Sequence, residues 1–196
     1  MRGIVQGSGV DSSLNDYGRS QAKAFYEHFS HVKFDRVYTS MLRRTVETVQ
    51  GFIDLGIPHE RHAGLNEISW GNKEGQKITP EEDAYYHWML RQWQEGDTSH
   101  KIEGGESPDD VAARQRPAIE KILSYDDRNV LVCMHGRAIR IILCQLLNYP
   151  LKSMDLFDHE NLCLYLLNQT GTMFSVEKYN YTGHLAGLKP PKAKVG

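Results

Sequence analysis

The chain has 196 residues, 40% of them hydrophobic and 24% charged, and its 23 Lys and Arg against 25 Asp and Glu leave a net charge of −2. That composition excludes intrinsic disorder, collagen-like repeats and a coiled coil as descriptions of the whole chain. The near-balance of charge argues against a dedicated binder of nucleic acid or of a membrane surface, and no apolar run approaches the roughly 18 residues of a membrane span. At roughly 150 residues per domain, the length predicts a single domain over residues 1–188, with a helical insertion over 72–105 and a loose tail over 189–196. Cys133, Cys144 and Cys163 lie far apart in apolar stretches and form no CxxC pair. They read as buried thiols in a reducing, cytoplasmic setting. The opening MRGIVQGSGVDSS lacks an apolar core of signal-peptide length.

Residues 1–15 read as a Gly/Ser/Asp loop. Ala22, Phe25, Tyr26 and Phe29 recur at helical spacing and predict a helix over 17–29. Phe34 to Thr39 predicts a short strand. Ser40 is the candidate N-cap of a helix whose face carries Leu42, Val46, Val49 and Ile53, ended by Gly56, Pro58 and His59. In the insertion, Thr79-Pro80-Glu81-Glu82 combines a capping box with proline in the first turn. The helix it starts carries Tyr85, Tyr86, Trp88 and Trp93 and ends near Gly96; this aromatic stretch suits either a lid over a site or a satellite of the core. Ser107-Pro108-Asp109-Asp110 repeats the capping logic, and Pro117 is expected to bend the helix that follows. Asn129 to Met134 is a continuous apolar run, as for a strand buried on both faces. A helix over 138–147 follows, then strands over 162–167 and 173–179 joined through Asn168-Gln169-Thr170-Gly171. Helices alternating with strands, then a hairpin, predict an α/β fold: a three-layer α/β/α sandwich with a mostly parallel sheet.

Three stretches carry candidate chemistry. In Val130 to Arg140 an apolar strand ends at His135-Gly136 and a helix follows. Ligands of open α/β sheets bind beyond the carboxyl ends of strands, helix N-termini favour anions, and Gly136 lets backbone approach a ligand closely. In Ser40 to Thr48 two arginines stand in the first helical turn; Arg43 reads as solvated, and Arg44, on another face, as an inward phosphate-binding group. In Leu65 to Gly71, Glu67 sits among apolar and aromatic residues, a setting that suits a proton donor.

Taken together, the order S-x-L-x-R-T-x-x-T (40–48), L-x-E-x-x-x-G-x-x-E-G (65–75), G-G-E-S (104–107) and V-L-V-x-x-H-G-x-x-x-R (130–140) resembles the histidine phosphatase, or phosphoglycerate-mutase-like, superfamily. The loop of Gly7 to Gly18, with Asp11 and Leu14, and Asn180 to Leu185 are softer matches, so the resemblance covers nearly the whole chain. It implies two-step phosphoryl transfer through phosphohistidine: a histidine attacks phosphorus, cations neutralise the phosphoryl oxygens, an acid protonates the leaving oxygen, and water releases phosphate. By position it implies Glu67 as general acid, His135 as second histidine and Arg44 as phosphate-binding arginine. Gly136 and Arg137 become the backbone turn beside the substrate, and Gln6 and Gly7 a substrate-lining loop. It implies a phosphorylated small-molecule substrate, no metal or other cofactor, and no nucleic-acid or membrane partner. The loop over 3–14 and an aromatic, charge-balanced insertion favour a phosphatase over a phosphoglycerate mutase.

One part of the pattern is not found. The family's nucleophile stands in R-H-G at the end of the first strand, ahead of the position of Gly3. Arg61-His62-Ala63-Gly64 lacks a preceding apolar strand and is out of order, so His62 is not that nucleophile. The expectation is a fold without its first central strand and a chain impaired in turnover, the alternative being a pseudoenzyme that binds phosphorylated ligands. The unpaired edge of 129–134 would then favour a homodimer.

Overall fold

The structure, a computed structural model, describes residues 4–188. Helix α1 (Asp16–Phe29) starts where the Asn15 side chain accepts the Gly18 N–H, and it buries Gln21, Ala22 and Phe25. Strand β1 (Arg36–Thr39) leads to α2 (Arg43–Ile53), which buries Thr45, Val49 and Phe52. Strand β2 (His59–Arg61) follows, then α3 (Pro80–Glu95), α4 (Pro108–Ile122), β3 (Val130–Cys133) and α5 (Gly136–Leu146). The hairpin β4 (Leu164–Thr170) and β5 (Met173–Tyr181) closes the order.

The sheet β2-β1-β3 is wholly parallel, with Val37 opposite both His59 and Leu131. The antiparallel pair β4-β5 forms a separate sheet. Thus β3 and β4 each pair on one side only among the described residues. Carbonyls of Asn129 and Cys133 face β1, accepting from Asp35 and Ser40. By strand alternation the N–H and C=O groups of Val130 and Val132 face the open side. On one side of the sheet Phe25, Val37, Val49, Phe52 and Leu131 pack together; on another, Tyr38, Leu65, Ala118, Ile122 and Ile142. The largest cluster joins Met89 and Trp93 of α3 to Val111, Ile141, Leu143, Cys144 and Met154.

Several expectations change. The segment at Pro58-His59 does not end a unit but leads into β2, a polar edge strand whose pairing partner, β1, is remote in sequence. Ser40 is not the cap of α2: the N-cap is Leu42, without a side-chain cap, and Asp11 supplies an acceptor to the Arg43 N–H from 2.7 Å. The hairpin turns at Gly171 and Thr172, with Asn168 to Thr170 still in β4, because Gly171 takes the φ of +61° the reversal requires. In β3 only Leu131 is buried, since among the described residues no strand covers its second edge. Cys133 and Cys163 are half-buried; Cys144 alone is buried. The aromatic insertion is a core element on one face, because Met89 and Trp93 are fully buried, while Tyr85 and Trp88 stay exposed. The expected tail over 189–196, and residues 1–3 of the opening loop, lie outside the described residues.

Candidate active site

The elements that follow β1 and β3 meet at the carboxyl ends of those strands. His135 ends β3 and is the N-cap of α5, and its ring is 7% exposed. Arg44 comes from the first turn of α2, and its Nε donates to His135 Nδ1 across 3.2 Å. Because Nδ1 accepts, the ring proton lies on Nε2, which donates to Ser40 Oγ at 2.8 Å. Burial, reinforced by the charges of Arg44 and Arg114, pushes the His135 imidazole down to about 3. It is therefore neutral at ordinary pH, with both nitrogens engaged.

The Arg44 guanidinium is itself covered by the opening loop. Its two terminal nitrogens donate to the carbonyls of Val10 (2.6 Å) and Gly7 (3.3 Å). Burial pulls the Arg44 pKa down, against the carboxylates of Glu67, Asp11 and Glu74, which hold it up. The loop is fastened from below: Glu74 accepts the N–H groups of Gly9 and Trp70, and Val5 pairs with Gln76 and Gly75. A side chain at Gly7 would strike the Ile68 carbonyl oxygen at 2.7 Å as well as Glu74 Oε1 at 2.2 Å, so this close approach requires glycine.

Glu67 lies at the start of α5. Its Oε2 accepts the Arg137 N–H at 3.2 Å, and its Oε1 accepts the N–H groups of Ala138 (3.0 Å) and Ile68 (2.9 Å). A carboxylate thus already occupies part of the anion-favouring helix terminus. Arg114 holds the backbone that carries it. The guanidinium bonds Glu106 at 2.7 and 3.0 Å and donates to the carbonyls of Gly64, Asn66 and Glu67.

The structure brings Arg44, Glu67, His135, Gly136 and the backbone of Arg137 to one place, together with Gly7. Arg43, expected on solvent, is exposed beside Glu47. Gln6 is exposed in the covering loop, and its side chain makes no hydrogen bond among the described residues. The Arg137 side chain turns away to Asp155 and to Tyr86 Oη (3.0 Å), beneath the Trp93 ring. His62 does not enter the site: its N–H pairs with Thr39 at the end of β2. Ser40, Asp11, Glu74 and Arg114 had no functional reading in the sequence, although Ser40 and Glu74 lie inside the recognised motifs. A surface depression of about 690 Å³ lies at the far end of α5, beside Cys144 and Tyr149, and touches none of these groups.

The family description "Histidine phosphatase superfamily (branch 1)" matches residues 1–182. The chain belongs to this superfamily. Phosphoserine phosphatase 1 of Hydrogenobacter thermophilus is 25% identical over 178 residues, covering 90% of this chain and 84% of its own. The 2,3-bisphosphoglycerate-dependent phosphoglycerate mutase 2 of Gloeobacter violaceus is 32% identical over 144 residues, covering 70% and 65%. A solved mycobacterial glucosyl-3-phosphoglycerate phosphatase, in complex with inorganic phosphate, superposes with a TM-score of 0.80 at 25% identity over 92% of both chains. Some relatives are far longer: the chain spans 29% of human 6-phosphofructo-2-kinase/fructose-2,6-bisphosphatase 4, to which it is 31% identical over 143 residues. By family and fold the chain is a histidine-type phosphatase or phosphoglycerate-mutase-like enzyme, with a mostly parallel sheet flanked by helices. No helix of the described residues is long and apolar enough to cross a membrane.

Proposed function

We propose that this site binds the phosphoryl group of a small phosphomonoester and belongs to a phosphatase that works through phosphohistidine. The observation that carries the reading is the Arg44–His135 contact beside an α5 N-terminus on which a carboxylate already rests. Arg44, released from the carbonyls of Gly7 and Val10, supplies a fixed cation with fork geometry. His135 orients the Arg44 fork through Nδ1, and the first turn of α5 supplies the Gly136 N–H, the donor that Glu67 leaves free. Phosphoryl transfer is mainly positioning and neutralisation of spread charge, which these groups provide. Glu67 is the acid for the leaving oxygen. The attacking imidazole is the component the described residues do not supply, because His135 has both nitrogens engaged and donates from Nε2.

The tests are vanadate titration and p-nitrophenyl phosphate turnover on residues 1–196. Vanadate binds, and Arg44→Ala weakens it at least about tenfold, the loss of a charge-assisted contact. Equal binding by the two proteins overturns the reading. Turnover stays at background, since the covalent route needs a free nucleophile; robust turnover abolished by His135→Ala would make His135 the attacking group. The relative of mutase type supports a second reading, transfer between phosphoglycerates. The aromatic, charge-balanced insertion favours hydrolysis, and assay with 3-phosphoglycerate separates the two.

A further inference from the structure

A second imidazole stands beside the same helix terminus and has no part in the reading above. His159 lies in the segment before β4. A Cβ placed on Gly136 would sit 3.0 Å from His159 Cδ2 and 3.2 Å from its Nε2, so glycine is what lets this ring edge lie against the turn. The ring is stacked on Tyr165, with centroids 6.5 Å apart and planes 7° from parallel. Its Nδ1 is 3.3 Å from Cys163 Sγ.

Burial raises the Cys163 thiol, so the sulfur keeps a proton that it can offer to Nδ1. Burial, with the charges of Arg140 and Arg137, pushes His159 down to about 4, so the ring is neutral. A neutral imidazole that accepts at Nδ1 carries its hydrogen on Nε2. His159 Nε2 has no hydrogen-bond partner among the described residues and is not among the sealed, unsatisfied atoms, so it reaches solvent. Gly136, against which this ring edge lies, carries the first-turn amide of α5 that Glu67 leaves free.

We infer that His159 is a ligand-binding residue of this pocket, its Nε2–H donating, together with the Gly136 N–H, to an oxygen of the phosphoryl group. The inference rests on the phosphate-binding reading of the site and extends it to a group outside the recognised motifs. Cys163 and Tyr165 act through His159, one selecting its tautomer and the other its plane.

The experiment uses vanadate with four proteins: the unaltered chain, His159→Phe, His159→Gln and Arg44→Ala. His159→Phe keeps a ring to stack on Tyr165 but lacks the donor, and it weakens vanadate about tenfold. His159→Gln restores an N–H donor and recovers most of the loss. On the unaltered chain, ring ¹⁵N shifts show the hydrogen on Nε2, and vanadate moves that resonance. Should His159→Phe bind as tightly as the unaltered chain while Arg44→Ala does not, this inference is overturned and the pocket stands. Should neither substitution matter, the pocket reading itself fails. If His159→Phe does not fold, the ¹⁵N measurement decides: an Nε2 resonance unmoved by saturating vanadate overturns the inference.

Discussion

Buried imidazoles make this site sensitive to acid. His135 and His159 are held down to about 3 and about 4, chiefly by burial and then by neighbouring arginines. In the unfolded chain both take up a proton near pH 6.5. Between those values the unfolded state binds more protons, so this stability is complete above about pH 6.5 and is lost as pH falls. The buried His135 ring contributes a slope of up to about 1.4 kcal/mol per pH unit, and the His159 ring, which reaches solvent, contributes less. Urea midpoints from pH 7 to pH 5 should fall steeply for the unaltered protein and less steeply for His135→Gln. Equal slopes for the two would show that His135 is not held neutral by the fold. Arg44 and His135 were legible as residues because each stands just beyond a strand-like segment, and Glu67 because it sits among apolar and aromatic residues. Their hydrogen bonds were not legible: Ser40 reads as a helix cap, and its actual partner, His135, is 95 positions away.

Capping and burial set the elements. Ser107 and Asp110 exchange side-chain and backbone hydrogen bonds at the start of α4, at 3.1 and 3.0 Å. Ser107→Ala should cost about 1 kcal/mol in a urea titration, a typical loss for an N-cap. The aromatic helix α3 divides into two faces with different consequences. Trp93 is fully buried and donates its indole N–H to the His100 carbonyl at 2.9 Å. Trp93→Ala should cost about 3–5 kcal/mol, as for other large core truncations, whereas Trp88→Ala, on the exposed face, should change stability by less than about 0.5 kcal/mol. Comparable losses from both would mean that α3 is seated differently. The position of this helix was predictable from Thr79-Pro80 and Gly96. Its role as core was not, because the residues it packs on, Ile141 and Met154, arrive from later in the chain.

For the molecule as a whole, the edges of β3 and β4 left open among the described residues are the feature with the largest physical consequence. Unpaired edges are templates for another strand. Leu131 and Cys133 direct their peptide groups at β1, and Val130 and Val132 direct theirs outward. Hydrogen exchange should therefore alternate along β3, with Leu131 and Cys133 protected and Val130 and Val132 fast. We propose that the open edge also supports self-association. Protection at Val132 that rises with protein concentration, alongside a dimer in light scattering, is the expected outcome; fast exchange at all concentrations with a monomer throughout would exclude it.

The local rules written into the chain were enough for its helices, the caps of α3 and α4, two of the three parallel strands and the family, since each depends on neighbours within a few residues. Asn15, Thr79 and Ser107 act over three positions, and the apolar periods of α1 and α2 act over one or two turns. The three-residue strand β2 escaped that reading, because its polar residues become a strand only through pairing with Val37 to Thr39. The tertiary structure alone decided that Glu67 would cap α5, that the opening loop would cover Arg44, and that His159 would lie against Gly136. Those contacts join residues tens of positions apart, so no spacing in the chain encodes them; the packing of the strands and helices around the site does.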